Sequence, residues 1–148
     1  MAKEYFDQWS HSVDVWIERA KIATMKADDL EWRRSAAFDL HQSAERAYIC
    51  FLLVRTLYFP RSHNIKFLRS LAEDKEPRLV EAWPRATKKD RARFERLKRA
   101  YVEARYSTSY AITADDLDAL AASVRRLRNI VDLVCRERLA ELEAEAAA

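Results

Sequence analysis

Apolar residues recur at intervals of three and four along most of the chain, which is the repeat of an amphipathic α-helix. The pattern predicts a first helix over residues 4–26 and a second over 30–58, with Asp28 and Asp29 placed to begin the second. From Tyr48 onward the second helix (YICFLLV) is apolar nearly all round. We therefore expect that half to lie at the centre of the protein or at a subunit interface.

Proline and capping residues divide the remainder of the chain. Pro60 ends the second helix, and Ser62 is placed to begin a short third helix. Thr87, followed three residues later by Asp90, has the pattern of a capping box and predicts a fourth helix that ends at Arg105.

The stretch YSTSYAI, residues 106–112, breaks the helical pattern, and Thr113 with Asp116 then begins a last helix. The acidic, Ala-rich residues 139–148 are expected to fray. No repeat or linker divides the chain, so we predict a single domain over residues 1–148. Its predicted class is all-α, an antiparallel up-and-down bundle of four main helices plus one short helix.

The composition excludes several familiar nucleotide-binding motifs. The 148 residues include no glycine and only three prolines. Glycine lets the backbone approach phosphate closely and supplies positive φ angles. A Walker A loop, a dinucleotide-binding fingerprint and a nucleophile elbow are therefore excluded. The net charge of +3, from 27 basic and 24 acidic residues, does not by itself identify a nucleic-acid-binding protein.

Cysteine usage and hydropathy indicate the cellular compartment in which the protein is expected. Cys50 and Cys135 fall in apolar helical stretches without metal-ligand spacing, which predicts buried free thiols. The N-terminal residues have no signal-peptide pattern, and no apolar run approaches the ~20 residues of a membrane span. We therefore expect a cytoplasmic protein with no membrane association.

The three histidines are candidates for chemistry. His11 falls off the apolar stripe and is predicted to lie on the surface. His41 has Glu45 four residues later, which is half of a metal site, and no second carboxylate–histidine set accompanies it. We therefore predict no metal site. His63 precedes Asn64 at the start of the short helix, where polar side chains commonly satisfy free backbone amides.

Two features of the fourth helix suggest phosphate binding. Nine basic residues against three acidic ones lie between Arg85 and Arg105, a density that suits either a solvated face or a phosphate-facing one. In the run ARYSTSY, residues 104–110, Arg105 at the helix end is followed by five hydroxyl side chains. A buried arginine needs a partner, so Arg105 either pairs with an acid such as Glu45 or Glu103, or faces a pocket or dimer seam.

Three segments of the chain occur in an order that resembles the HEPN family of small α-helical domains: AFDLHQSAERAYICFLLV, SHNIKFLRSLA and FERLKRAYVEARYSTSY. The resemblance covers about residues 38–105 and is greatest to domains that follow a minimal nucleotidyltransferase in bacterial polypeptides. It implies a bundle that dimerises, pairs with a nucleotidyltransferase domain or protein, and binds RNA or an ATP- or AMP-type nucleotide.

The resemblance also bears on catalysis. Nuclease members of the family cleave RNA without metal, through an arginine followed four to six residues later by a histidine across the dimer seam. Arg105 matches the arginine, whereas residues 109–112 are Ser, Tyr, Ala and Ile, so the histidine is missing. His41 or His63 could replace it only if the fold brings one of them to Arg105.

The leading hypothesis is therefore a dimeric domain that binds nucleotide or RNA phosphate, or a nucleotidyltransferase, without full ribonuclease activity. In some toxin–antitoxin pairs the partner adenylylates a tyrosine just after the histidine, which implies Tyr106 or Tyr110 here. One alternative is an active endoribonuclease toxin of such a pair, and another is a purely structural dimerisation module. The predicted site comprises Arg105, Tyr106, Ser109 and Tyr110, supported by His63, His41 and Glu45.

Overall fold

The computed structural model describes all 148 residues as five α-helices and one 3₁₀ helix, with no strand. Helix α2 is central, because it packs against each of the other four α-helices. The predicted all-α bundle of four main helices and one short helix is confirmed. The elements are α1 (Ala2–Thr24), α2 (Leu30–Thr56), α3 (Ile65–Lys75), the 3₁₀ helix (Pro77–Ala82), α4 (Lys88–Tyr106) and α5 (Ala114–Ala147).

Three predicted helix starts are present with their capping hydrogen bonds. The Asp29 carboxylate accepts from two backbone amides of the first turn of α2, at 2.7 and 3.3 Å. At the start of α4, the Thr87 hydroxyl accepts from the Asp90 amide at 3.0 Å, and the Asp90 carboxylate accepts from the Thr87 amide at 3.3 Å. Thr113 caps α5 in the same way through its side chain.

The cap of α3 differs from the prediction by two residues. The Asn64 side chain, rather than that of Ser62, accepts from the first amides of α3. Ser62 supports this arrangement, since its hydroxyl accepts from the Asn64 amide at 3.1 Å. His63 therefore lies in the connection just before the helix, with its side chain free for other contacts.

Two helix ends also differ from the prediction. Helix α2 ends at Thr56, and Leu57 adopts the left-handed conformation (φ 60°, ψ 19°) that glycine commonly holds at this position. The sequence contains no glycine, so leucine holds this conformation instead. Helix α5 continues to Ala147 and so includes all but the last residue of the segment 139–148, which we expected to fray. Alanine, glutamate and leucine dominate that segment, and all three favour helix.

The apolar half of α2 forms the centre of the core. Residues from Tyr48 to Val54 are buried, and the Trp83 indole N–H donates to the Tyr48 hydroxyl at 2.6 Å. Cys50 and Cys135 are buried free thiols, as predicted. None of the helices combines the length and hydropathy that a membrane span requires.

Arginine side chains hold the connection between α4 and α5, residues 107–113, against α2 and α4. Each donates to main-chain carbonyl oxygens that no helix or strand would satisfy. Sequence periodicity did not reveal this role, because the partners lie far away along the chain. The bonds run from Arg33 to Ile112 (2.8 Å), from Arg34 to Thr108 (2.7 Å) and Tyr110 (3.0 Å), and from Arg96 to Ala111 (2.9 Å).

Candidate functional site

The ring of Tyr101, near the end of α4, gathers three of the predicted site residues. His63 stacks on it with ring centroids 4.2 Å apart, and the His41 ring centroid lies at 5.4 Å. The central carbon of the Arg105 guanidinium is 5.2 Å from the same centroid. The fold therefore brings both histidines into contact with the ring that Arg105 also contacts. We call this group, with Phe38, Glu45 and Tyr106, the Tyr101 cluster.

Arg105 is held in place by its own helix and by aromatic rings. Its Nε and Nη2 atoms donate to the Tyr101 carbonyl oxygen at 3.2 and 3.0 Å. The guanidinium carbon lies 4.5 Å from the Phe38 ring centroid and 5.0 Å from that of Tyr106. These contacts orient an exposed guanidinium and leave its Nη1 group without a protein acceptor.

No acid neutralises Arg105, so the first of the two alternatives left open by the sequence is wrong. Glu45 is engaged by His63, and Glu103 forms an ion pair with Arg99 at 3.7 Å. The Arg105 side chain is exposed rather than buried, so its guanidinium is solvated and does not require a carboxylate partner. The structure therefore presents an oriented cation at the surface.

His63 and Glu45 form a hydrogen-bonded pair. The His63 Nδ1–H donates to the Glu45 carboxylate at 2.6 Å, and Arg46 lies 3.7 Å from the other carboxylate oxygen. Burial raises the pKa of Glu45, opposed by its contacts with His63 and Arg46. The His63 side chain is 59% exposed, whereas that of Glu45 is 4% exposed. With Nδ1 bonded to the carboxylate, Nε2 of the neutral ring is the nitrogen left to accept a proton.

His41 is buried beneath this pair. Its Nε2–H donates to the main-chain carbonyl of His63 at 3.0 Å, and its Nδ1 has no hydrogen-bond partner. Burial lowers the pKa of His41 to about 4, and the positive charge of Arg105 acts in the same direction. His41 is therefore neutral near pH 7. It positions the His63 backbone, while His63 is the histidine that a ligand can reach.

The other predicted residues separate into two groups. Tyr106 joins the cluster, since its ring is 74% exposed and lies beside Arg105. Tyr110 does not join it: the ring is buried, burial raises its pKa, and its hydroxyl donates to the Arg96 carbonyl at 2.9 Å. Ser109 is exposed and bonds to the Ser107 hydroxyl at 2.9 Å, away from the cluster's contacts.

Sequence reasoning missed Phe38 and Tyr101 as site residues. Both follow the apolar repeat of their helices, and both are half-buried, with one part of each ring left for the cluster. The available signal was the four-residue spacing of Tyr101 and Arg105, which places both on one face of α4. No group of three or more His, Cys, Asp or Glu side chains is arranged to hold a metal ion.

The family model of the HEPN domain matches residues 13–137, and the chain therefore belongs to the HEPN domain family. The matched range includes every residue of the Tyr101 cluster. No curated protein matches the chain.

Proposed function

We propose that this HEPN domain binds the phosphate of a nucleotide or of RNA through Arg105. The observation that carries the proposal is the exposed guanidinium, oriented by the Tyr101 carbonyl and three aromatic rings and paired with no carboxylate. Guanidinium donors match the oxygens of phosphate, and a preoriented group loses less entropy on binding. No glycine-rich loop is needed for this mode of binding.

The ring of Tyr106 favours a nucleotide over inorganic phosphate. It is largely exposed beside Arg105, and an exposed aromatic face is the usual platform for a nucleic-acid base. Base stacking of this kind contributes about 1–3 kcal/mol per base. An arginine for the phosphate and a tyrosine for the base thus lie at adjacent positions of one helix end.

Binding is tested by titrating AMP, ATP and a 12-nucleotide RNA into the protein and its Arg105→Ala variant. A charge-assisted hydrogen bond contributes about 1.5–3 kcal/mol, so we expect an affinity loss of about tenfold or more. Arg136→Ala is the matched control, because Arg136 is also exposed and lies 5.1 Å from the Phe6 ring centroid. Equal affinities for wild type and Arg105→Ala would contradict the proposal.

A second candidate function is metal-independent RNA cleavage with His63 in place of the missing histidine. The His63–Glu45 pair beside Tyr101 favours it, because a buried carboxylate orients the imidazole. His63 would accept the proton of a 2′-hydroxyl as its oxygen bonds to phosphorus. The bond from phosphorus to the 5′-oxygen then breaks, and water supplies the proton of the leaving group.

Cleavage is tested by incubating RNA with the protein in EDTA and comparing His63→Ala and Glu45→Gln with wild type. We expect His63→Ala to abolish cleavage and to retain RNA binding, since Arg105 is unchanged. RNA that stays intact with wild-type protein would exclude this second function and leave the binding proposal standing.

We also propose a homodimer and a nucleotidyltransferase partner. The exposed side chain of Val102 on α4, three residues before Arg105, suits a dimer seam beside the site. Sedimentation of wild type and Val102→Glu tests the seam.

If a nucleotidyltransferase adds AMP, Tyr106 is the accessible acceptor, and Tyr106→Phe should remove the added mass. We also propose a cytoplasmic location, since nucleotides and RNA are the proposed ligands.

A further inference from the structure

A basic groove lies between α3 and α4, separate from the Tyr101 cluster. It has a volume of about 430 Å³ and is lined mainly by charged side chains, with Pro84 and Phe94 among the few apolar ones. We call it the α3–α4 groove. Its basic residues are Lys66, Arg69, Arg85, Lys88 and Arg91.

Most of the positive charge in the α3–α4 groove is not neutralised. Both carboxylate oxygens of Glu73, a neighbour of the groove, accept from Arg85. The one acid that lines the groove, Glu95, accepts from Lys98 at 3.2 Å. The other four cations of the groove have no carboxylate partner: Lys66, Arg69, Lys88 and Arg91.

Arg69 is the most informative of these four. It is half-buried, its guanidinium carbon lies 3.9 Å from the Phe94 ring centroid, and none of its N–H groups has an acceptor within the protein. Burial, together with the nearby charge of Arg85, lowers its pKa. None of the Arg69 nitrogens is both buried and unpaired, so water supplies their acceptors in the free protein, and a phosphate can take the place of that water.

Helix α4 contributes residues to both the α3–α4 groove and the Tyr101 cluster. His63, which stacks on Tyr101, lies two residues before α3, and Arg69 on α3 packs on Phe94 of α4. Tyr101 and Phe94 are seven residues apart on one helix, or about 10 Å. From Lys88 to Tyr101 the distance along the helix is about 20 Å. A chain of regularly spaced phosphates is the kind of ligand that meets cations over such a length.

We propose that the α3–α4 groove binds the backbone phosphates of a single-stranded RNA, another phosphate of which lies at Arg105, an inference that rests on the proposed function. The groove extends the site from one nucleotide to several. Its contacts are to phosphate alone, so it adds affinity without sequence preference.

The test measures binding of AMP and of fluorescein-labelled oligouridylates of 2 and 12 nucleotides at several salt concentrations. Wild-type affinity should rise with length, and the variant Lys66→Gln/Lys88→Gln should lose most of that rise, roughly tenfold at low salt. Its slope of log K against log salt should fall by about 1.4 for the 12-mer. Both lysines are exposed and bond to no other side chain, so the melting temperature should not change.

The matched control is Lys21→Gln/Arg125→Gln, which removes equal charge from a cleft of α1, α2 and α5. The groove proposal is overturned if affinity does not depend on length, if the control loses as much, or if polyglutamate competes as well as RNA. AMP binding that depends on Arg105 would then still support the proposed function. The converse outcome is that the 12-mer loses affinity in the double lysine variant while AMP binding is unaffected by Arg105→Ala. That result would overturn the Arg105 assignment alone.

Discussion

The ring of His63 lies nearly parallel to that of Tyr101, with centroids 4.2 Å apart and planes 14° apart. This contact joins the residue before the α3 cap to the last turns of α4. Aromatic pairs of this kind contribute about 0.5–1.5 kcal/mol beyond their buried area. Because Arg105 contacts the same ring, Tyr101 positions both the exposed imidazole and the guanidinium.

The stacking can be tested without any ligand. Tyr101→Leu removes the ring current acting on His63, so the carbon-bound protons of that imidazole should move downfield in proton–carbon correlation spectra. Tyr101→Phe keeps the ring, and the Tyr101 hydroxyl makes no hydrogen bond, so the His63 signals should stay in place. If His63 signals are the same in Tyr101→Leu as in wild type, the two rings are not stacked in solution.

The free energy of unfolding should depend on pH through two buried groups with opposite effects. Burial raises the pKa of Asp39 to about 6, although Arg19 lies 3.8 Å away and lowers it in part. Between about pH 4 and 6, native Asp39 holds a proton that the unfolded chain releases, so its contribution to stability falls as pH rises. His41 remains neutral where the unfolded chain binds a proton, so its contribution falls as pH drops below 6.5.

Asp39→Asn separates these two effects. At pH 4 wild-type Asp39 is protonated and resembles asparagine, whereas at pH 7 the wild type carries an unfavourable buried carboxylate. Relative to wild type, the variant should therefore gain about 1–3 kcal/mol of stability between pH 4 and pH 7. Urea unfolding at pH 4, 5, 6 and 7 measures the difference. A difference that does not change with pH would show that Asp39 titrates normally in the folded state.

Removing the acceptor of the hydrogen bond between Trp83 and Tyr48 should lower the free energy of unfolding by more than the net energy of one hydrogen bond. Tyr48→Phe leaves the indole N–H of Trp83 buried without an acceptor, which costs about 1–3 kcal/mol. Tyr58→Phe is the control, because the Tyr58 ring is exposed and its hydroxyl bonds to nothing. Urea unfolding curves compare the two, and equal stabilities for both variants would contradict the prediction.

Leu57 offers a stabilising substitution. It is the one residue with positive φ, and the left-handed conformation costs an L-amino acid with a Cβ about 1–2 kcal/mol. Leu57→Gly should therefore raise the free energy of unfolding by about 1 kcal/mol, since the side chain is largely exposed. Leu57→Ala removes the same exposed surface but keeps the Cβ, and it should not stabilise the protein. Thermal or urea unfolding distinguishes these outcomes.

Local features of the chain were predictable because their physical causes are local. Asp29, Thr87 and Thr113 each bond to amides two or three residues away, so the sequence order alone places these caps. Ser62 was predicted to cap α3, whereas the Asn64 side chain does so and Ser62 bonds to the Asn64 amide instead. The apolar half of α2 likewise predicted its own burial, because a helix face without polar residues must be covered.

The sequence by itself determined an all-α bundle, its principal helix starts and Arg105 as a candidate for phosphate. Only the tertiary structure decided what surrounds that arginine. His63 and Glu45 are 18 residues apart, and Tyr101 reaches both histidines across three segments of the chain. Tyr110, one of five consecutive hydroxyl residues, is buried. Contacts between distant segments depend on how whole helices pack, and residue spacing along one helix carries no record of that packing.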